Sequence, residues 1–200
     1  MNCLYCDSKI EKMSLTSLFL QEDLLCSKCR QQLKIERKII DLGEFKVETF
    51  FEYDGIFKSI LLQYKECMDE ALKPVFLYGL DEYMNIRYHS YKLLLAPSSK
   101  SKLEKRGFNH LEGIFEPIKL ERINGLRMIN DLCQEGKNYE ERSKMKNNYI
   151  YEGERIDKLL IVDDVLTTGS TLMGIFNALN PKVDKIKVLS LAYKNKSLYN

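Results

Sequence analysis

The sequence has no hydrophobic run long enough to cross a bilayer, since none of its apolar stretches approaches the ~20 residues that a membrane helix needs. Its first residues lack the basic segment followed by an apolar core that marks a secretory signal. It has no internal repeat, no low-complexity segment and a formal net charge of only +2. We therefore predict a cytoplasmic protein without a membrane span, in which any nucleic-acid site is a local basic patch.

Four of the six cysteines form two Cys-x-x-Cys pairs near the N-terminus. Cys3 and Cys6 make the first pair, Cys26 and Cys29 make the second, and nineteen residues separate the pairs. This spacing is typical of a four-cysteine zinc site, in which each pair aims two thiolates at one tetrahedral ion. Because all four ligands are thiolates, we expect a structural Zn²⁺ with no open position for water. Two disulfides or redox-active pairs are the alternatives, which a cytoplasm with reduced thiols disfavours.

The length of 200 residues suits one domain plus a small appendage. We divide the chain into a zinc-binding module with a linker helix, residues 1–40, and a larger domain, residues 41–200. The linker helix is predicted over residues 31–41. The module is too short to have much core of its own, so metal binding would supply much of its folding free energy. Cys67 and Cys133 stand alone, and we expect packed or half-exposed thiols without chemistry.

Strand and helix patterns alternate through the larger domain. Strands are predicted over residues 45–53, 92–96, 158–162 and 185–193. Helices are predicted over residues 56–64 with Asp54 as N-cap, over 69–85, over part of 109–118 and over 171–179. Residues 134–148 are polar and predict an exposed loop or a short helix. The alternation predicts an α/β fold, a parallel sheet flanked by helices on both faces.

Residues 159–171 read Leu-Leu-Ile-Val-Asp-Asp-Val-Leu-Thr-Thr-Gly-Ser-Thr and carry the strongest functional signal. The apolar start predicts a buried strand with Asp163 and Asp164 at its carboxyl end, where ligands of open α/β sheets bind. Carboxylates there accept hydrogen bonds from sugar hydroxyls or contact a metal ion. The loop that follows offers N–H groups and hydroxyls to a phosphate. These residues predict a site for a phosphorylated ribose; the alternative is a plain strand and a helix capped by Thr168 or Ser170.

This stretch resembles the PRPP-binding motif of type I phosphoribosyltransferases. In that family the acidic pair contacts the ribose hydroxyls, so the resemblance implies that Asp163 and Asp164 bind ribose. It assigns the 5′-phosphate to the loop residues Thr167, Thr168, Gly169, Ser170 and Thr171. In related enzymes the loop after an earlier strand contacts pyrophosphate, and that position here holds Ser98, Ser99 and Lys100. Mg²⁺ would accompany the PRPP.

Further segments resemble the ComF family of competence proteins, which join two Cys-x-x-Cys knuckles to a phosphoribosyltransferase-like domain. Besides the cysteines, the match includes Phe-Glu-Tyr-Asp-Gly at 51–55, Ile-Leu-Leu-Gln-Tyr-Lys at 60–65, Lys-Arg-Gly-Phe-Asn-His at 105–110 and Tyr-Glu-Glu-Arg at 139–142. The family often has Gln where this chain has His110. The resemblance implies a DNA-uptake factor whose partners are PRPP or another ribose phosphate, single-stranded DNA and other DNA-uptake proteins.

The segment around Arg106 and Phe108 puts a cation and an aromatic ring close together, with Lys105 and Asn109 beside them. Such a pair binds phosphate and stacks a base, which predicts contact with single-stranded DNA at these four residues. The alternative is that Phe108 anchors a loop in the core while Arg106 forms a salt bridge. Two other functions stay open: an active phosphoribosyltransferase in nucleotide salvage, and a regulatory module that senses PRPP. No stretch predicts a nucleobase pocket, so PRPP binding is better supported than turnover.

Overall fold

A computed structural model describes residues 1–10, 24–129 and 149–195. Five strands form the central sheet: β1 Lys38–Asp41, β2 Lys46–Glu52, β3 Lys92–Leu95, β6 Ile156–Leu166 and β7 Val183–Tyr193. Their order across the sheet is β1-β2-β7-β6-β3. Two further strands, β4 Leu126–Met128 and β5 Tyr149–Tyr151, pair with each other in a small antiparallel sheet.

Six α-helices lie in the described part of the chain: α1 Ser27–Gln32, α2 Gly55–Glu66, α3 Asp81–Arg87, α4 Lys100–Arg106, α5 His110–Ile114 and α6 Ser170–Leu179. Two short 3₁₀-helices cover Glu70–Val75 and Asn180–Lys182. In the central sheet β1 and β2 are antiparallel, whereas β2–β7, β7–β6 and β6–β3 are parallel. The predicted α/β class with a sheet flanked by helices is confirmed, but the sheet is mostly and not wholly parallel, because β1 runs antiparallel to β2.

The core follows from two apolar patterns that the sequence shows. Leu159 to Val162 are buried without interruption along β6, as expected of a parallel strand covered on both faces. The predicted helix after Asp54 is α2, and its buried side chains are Ile56, Phe57, Ile60, Leu61 and Tyr64. Asp54 occupies the N-cap position, although its side chain makes no capping hydrogen bond.

Two predicted helices are wrong in extent. The linker helix over residues 31–41 ends early: α1 stops at Gln32, and Lys38–Asp41 forms strand β1 beside β2. The helix over residues 69–85 is divided into a 3₁₀-helix and α3. Between them Gly79 adopts φ +74°, a left-handed conformation that an α-helix does not continue through.

Two strands also differ from prediction. Apolar residues alternate with mostly polar ones over residues 45–53, which predicts a half-buried strand, but Val47 to Phe51 of β2 are all buried. β6 extends four residues beyond Val162, because it continues to pair with β7 as far as Leu166 and Tyr193. The predictions for residues 134–148, for Cys133 and for the Tyr-Glu-Glu-Arg segment lie outside the described residues. Within the described ranges, no helix combines the length and the apolar character that crossing a bilayer requires.

A buried carboxylate ties the sheet to α3. Glu48 of β2 is 5% exposed. Its carboxylate accepts hydrogen bonds from the hydroxyls of Tyr83 (2.7 Å) and Tyr88 (2.6 Å) and from Arg37 Nε (2.6 Å). Burial raises the pKa of Glu48, but the hydrogen bonds from Arg37, Tyr88 and Tyr83 outweigh burial and leave the pKa below its usual value.

We expect Glu48→Gln to lower the free energy of unfolding by about 2–3 kcal/mol, since it removes the charge to which three donors bind. Urea unfolding at about pH 7 measures this change. The control is Glu36→Gln: Glu36 is exposed and pairs with Lys38 at the surface, so its loss should change stability by less than about 0.5 kcal/mol.

The effect of Glu48→Gln should also depend on pH. The folded pKa lies below the ordinary 4.5, so the stabilisation is complete above about pH 4.5 and is lost as pH falls through the folded value. The difference between wild type and variant should therefore shrink at about pH 3. An equal difference at both pH values would contradict this account.

Candidate functional site

A pocket of about 250 Å³ opens at the carboxyl ends of β3 and β6. β3 ends its pairing at Leu95 opposite Val162, whereas β6 continues beside β7. The two aspartates therefore lie inside strand β6, at the step that the shorter β3 leaves beside it. The polar residues that line the pocket are Lys65, Ser98, Ser99, Lys102, Arg106, His110, Tyr149, Asp163, Asp164 and Thr171.

Asp164 is a buried carboxylate with three hydrogen-bond donors. Its Oδ2 accepts from the Lys65 ammonium and from His110 Nε2 (2.9 Å), and its Oδ1 accepts from the Val165 N–H (2.7 Å). Burial raises the pKa of Asp164, but the contacts with His110 and Lys65 outweigh burial and hold the pKa well below its usual range. Asp164 is therefore a fixed negative charge inside the protein.

His110 is held in one tautomer by its neighbours. Arg106 Nη1 lies 3.0 Å from His110 Nδ1, and because a guanidinium can only donate, Nδ1 must accept. Nε2 then carries the proton and donates it to Asp164. Burial lowers the pKa of His110 by more than Asp164 raises it, so the ring is neutral near pH 7.

Asp163 differs from its neighbour. It is half-buried, and its Oδ1 accepts the Asp164 N–H at 2.8 Å. Burial raises the pKa of Asp163, and the negative charge of Asp164 raises it further. The pair thus combines one anchored carboxylate with one carboxyl group that faces the pocket and holds a proton more readily.

The predicted phosphate loop leads from β6 into α6. Gly169, at φ +80°, occupies the N-cap position of α6, so neither Thr168 nor Ser170 stands at that position. The Thr168 hydroxyl nevertheless accepts the N–H of Ser170, the first residue of α6, at 3.4 Å. Thr168 and Ser170 are exposed and their hydroxyls lie 3.1 Å apart. A Cβ on Gly169 would stand 2.7 Å from Leu42 Cδ1, so Leu42 would have to shift, and the φ of +80° disfavours any residue other than glycine. Of the five predicted loop residues, Thr171 reaches the pocket lining.

The predicted pyrophosphate loop is only partly in the pocket. Ser98 and Ser99 line it, whereas Lys100 begins α4 and is not among the lining residues. Lys102 and Arg106, four residues apart on α4, line it instead. Their spacing could have predicted that both cations face the same site, since residues four apart share a helix face.

Sequence reasoning also missed Lys65 and His110 as site residues. Lys65 lies at the end of α2, and Tyr64 beside it donates a hydrogen bond to the His110 carbonyl at 3.0 Å. Both residues lie in segments that the sequence analysis singled out, but nothing local points to Asp164 as their partner. Only the fold brings the three side chains together.

The four predicted nucleic-acid residues have protein contacts. Phe108 is half-buried and packs edge-on against Tyr64, with ring centroids 5.2 Å apart. Asn109 caps α5 by accepting the Leu111 N–H at 3.2 Å. Arg106 is bound to His110 and forms a salt bridge with Glu66 at 3.6 Å. The Lys105 side chain is 80% exposed and lies 3.3 Å from the same carboxylate. Both parts of the alternative are therefore confirmed, since Phe108 anchors the loop and Arg106 forms a salt bridge, and Lys105 is the most accessible of the four.

The four N-terminal cysteines form a candidate metal centre. The Sγ atoms of Cys3, Cys6, Cys26 and Cys29 all lie within 4.8 Å of one another. The Cys6 and Cys26 sulfurs are 3.7 Å apart, close to the roughly 3.8 Å that tetrahedral geometry gives for Zn–S bonds of ~2.3 Å. Hydrogen bonds from Ser8 lower the pKa of Cys6, and the Ser8 side chain and the Cys29 N–H lower that of Cys26 to about 6, whereas burial raises the pKa of Cys29. The cluster can therefore hold a metal ion, and its chemistry fits zinc.

A comparison with characterised proteins gives the family. The chain is 31% identical over 146 residues to the competence protein ComFC of Streptococcus pneumoniae (strain ATCC BAA-255 / R6). The chain is therefore a ComFC-like protein. The match covers 72% of this chain and 66% of the relative, so the chain spans just under two thirds of that protein. No family model matches the chain. The ComF resemblance is confirmed, and the phosphoribosyltransferase fold stays a prediction.

We expect metal analysis to give about one zinc ion per chain, because four thiolates complete a tetrahedral site. Cys26→Ser should lose the ion and lower the midpoint of thermal unfolding, as should a chelator added to the wild type. The matched control is Cys67→Ser, since Cys67 is an exposed free thiol outside the cluster and its loss should leave the metal content unchanged. Equal metal content in the two variants would rule out this centre.

Proposed function

We propose that this chain binds PRPP or another ribose phosphate in the pocket beside β6 and acts in DNA uptake. The observation that carries the proposal is the meeting of the acidic pair with Ser98, Ser99 and Thr171 in one pocket. These groups come from three separate segments, yet each has the chemistry that a part of PRPP requires. A plain strand-to-helix connection would not need this gathering of polar groups.

Each part of the ligand has candidate partners. The carboxyl group of Asp163 faces the pocket and would bind the ribose hydroxyls, with Asp164 behind it. The start of α6, with the exposed hydroxyls of Thr167, Thr168 and Ser170, would take the 5′-phosphate. Lys102 and Arg106 would neutralise the pyrophosphate, with the hydroxyls of Ser98 and Ser99 as donors and Lys100 nearby.

Mg²⁺ does not fit this pocket as an ion held by the protein. The oxygens of Asp164 already accept from Lys65, His110 and the Val165 N–H. Among the described residues, the acidic pair is not part of any group of three or more side chains that could hold a metal. Mg²⁺ would instead arrive on the pyrophosphate oxygens of PRPP, which suit this hard cation.

The relation to a competence protein supports a role in DNA uptake. We propose that the chain works in the cytoplasm, where the thiolates of the cysteine cluster stay reduced, with other DNA-uptake proteins as partners. The proposed organisation is a zinc module over residues 1–40 and a phosphoribosyltransferase-like domain over residues 41–200. Single-stranded DNA would meet the segment of Lys105, Arg106, Phe108 and Asn109, where Lys105 is the accessible charge.

Calorimetry with PRPP tests the ligand. We expect the wild type to bind and Asp163→Ala to weaken binding by about tenfold, because the hydrogen bonds of this carboxyl group to the ribose hydroxyls are lost. Asp157→Ala is the control: Asp157 is an exposed carboxylate at the other end of the same strand and should bind like the wild type. Equal affinities of wild type and Asp163→Ala would refute the site. Pyrophosphate release with a panel of bases would establish the salvage-enzyme alternative.

A labelled single-stranded oligonucleotide tests the DNA part. We expect binding that weakens with salt, and Lys105→Ala should reduce the slope of log affinity against log salt by about 0.7, the share of one phosphate contact. Lys58→Ala removes an exposed lysine from α2 and should leave the slope unchanged. Absence of salt-dependent binding by the wild type, or equal slopes for the two variants, would exclude this segment as the DNA contact.

A further inference from the structure

We propose that Lys65 takes the place of a divalent cation at the acidic pair, so that a ribose phosphate enters this pocket without metal. The inference rests on the proposed function, because it concerns how the same pocket receives that ligand. It begins from one contact: the Lys65 ammonium is bound to Asp164 Oδ2.

Lys65 is held in position by the helix α2, which is packed against the core. It stands in the last turn of α2, whose residues Ile60, Leu61 and Tyr64 are buried in the core. The hydrogen bond from Tyr64 to the His110 carbonyl fixes this end of α2 against α5. The side chains of Lys65 and Asp164 are 18% and 10% exposed, so solvent screens their attraction little. The ammonium therefore belongs to the framework of the pocket.

Asp164 leaves little room for a metal ion. A carboxylate has roughly four lone-pair sites, and Lys65, His110 and the Val165 N–H use three of them. A divalent ion on the remaining site would lie close to the ammonium, and this like-charge repulsion opposes binding. Among the described residues, the group that can hold a metal is the cysteine cluster and not the acidic pair.

The net charge of the pocket also argues against a bound metal ion. Three cations line it, Lys65, Lys102 and Arg106, against the two acids Asp163 and Asp164. Since His110 is neutral, the lining is already positive without an added ion. A phosphate group is therefore attracted to the pocket without an added metal ion. Asp163, which would face the sugar, does not need to bind a metal ion that also binds the phosphate.

Ribose 5-phosphate is the probe that separates this inference from ordinary magnesium dependence. It lacks pyrophosphate, so an effect of Mg²⁺ on its binding reports on the acidic pair. We expect calorimetry with EDTA and with Mg²⁺ to give wild-type affinities within about threefold of each other. In Lys65→Met the carboxylate is open to a cation, so Mg²⁺ should raise affinity by about tenfold or more.

Two further variants complete the test. Lys102→Met removes a lysine from the same pocket without removing the partner of Asp164, and should weaken binding equally with and without Mg²⁺. The double variant Lys65→Met, Asp164→Asn removes both charges of the pair and shows whether a Mg²⁺ response of Lys65→Met arises at Asp164. Its affinity should not respond to Mg²⁺, because the carboxylate that Lys65 held is gone. If Lys65→Met does not fold, the wild-type comparison with EDTA and with Mg²⁺ still tests the inference.

The outcomes separate the two proposals. A wild type whose affinity for ribose 5-phosphate rises about tenfold with Mg²⁺ would overturn the inference and leave the ribose-phosphate site in place. A folded Lys65→Met that shows no response to Mg²⁺ would overturn the assignment to Lys65. Absence of binding of both PRPP and ribose 5-phosphate to the wild type, with or without Mg²⁺, would remove the proposed function and the inference together.

Discussion

The buried charge of Asp164 is the constraint on which the pocket depends. Removing a partner from a buried ion pair costs roughly 3–5 kcal/mol, so Lys65 and His110 must stay in place for this strand to carry a carboxylate. Lys65 comes from α2 and His110 from α5, and Arg106 of α4 orients the imidazole. One charge in β6 thus fixes the positions of three helices. Lys102 and Arg106, which would meet the pyrophosphate, stand on α4, one of these helices.

Glu48 is a second buried carboxylate in the described part of the chain. Comparing it with Asp164 distinguishes a carboxylate enclosed in the fold from one beside the proposed ligand site. Glu48 lies in β2, where two tyrosine hydroxyls and Arg37 bind it. Its partners close around it and leave no part of it in the pocket beside β6. Asp164 has equally strong partners, yet it lies at the step where β3 ends and β6 continues. Its neighbour Asp163 is therefore half-exposed at a place a small molecule can reach. Position at the end of a shorter strand, more than charge, distinguishes the pair that we propose to bind the ligand.

Local sequence patterns predicted most of the helices and strands. They could not predict contacts between residues that lie far apart in the chain. The buried face of α2 and the buried run of β6 follow from apolar spacing, and the cysteine cluster follows from two short motifs. The pair of Lys65 and Asp164 spans 99 positions, and that of His110 and Asp164 spans 54. No periodicity reaches so far, because such contacts exist only after the strands have taken their order. Strand β1 was missed for the same reason: its four residues, Lys38–Asp41, are too few to show a periodicity and form a strand by pairing with β2.

The cysteine cluster and the acidic pair raise one physical problem, since each gathers negative groups that need a nearby cation. The N-terminal segment has only the six-residue α1 as regular structure between residues 24 and 37, so no rigid element there can hold a lysine among four thiolates. A metal ion supplies charge and cross-links the segment at once. α2 has twelve residues and five buried side chains, which is enough to hold an ammonium against Asp164. We therefore expect a bound metal ion at the cysteine cluster, where there is little regular structure. At Asp164 the Lys65 ammonium supplies the positive charge, because α2 is packed in the core.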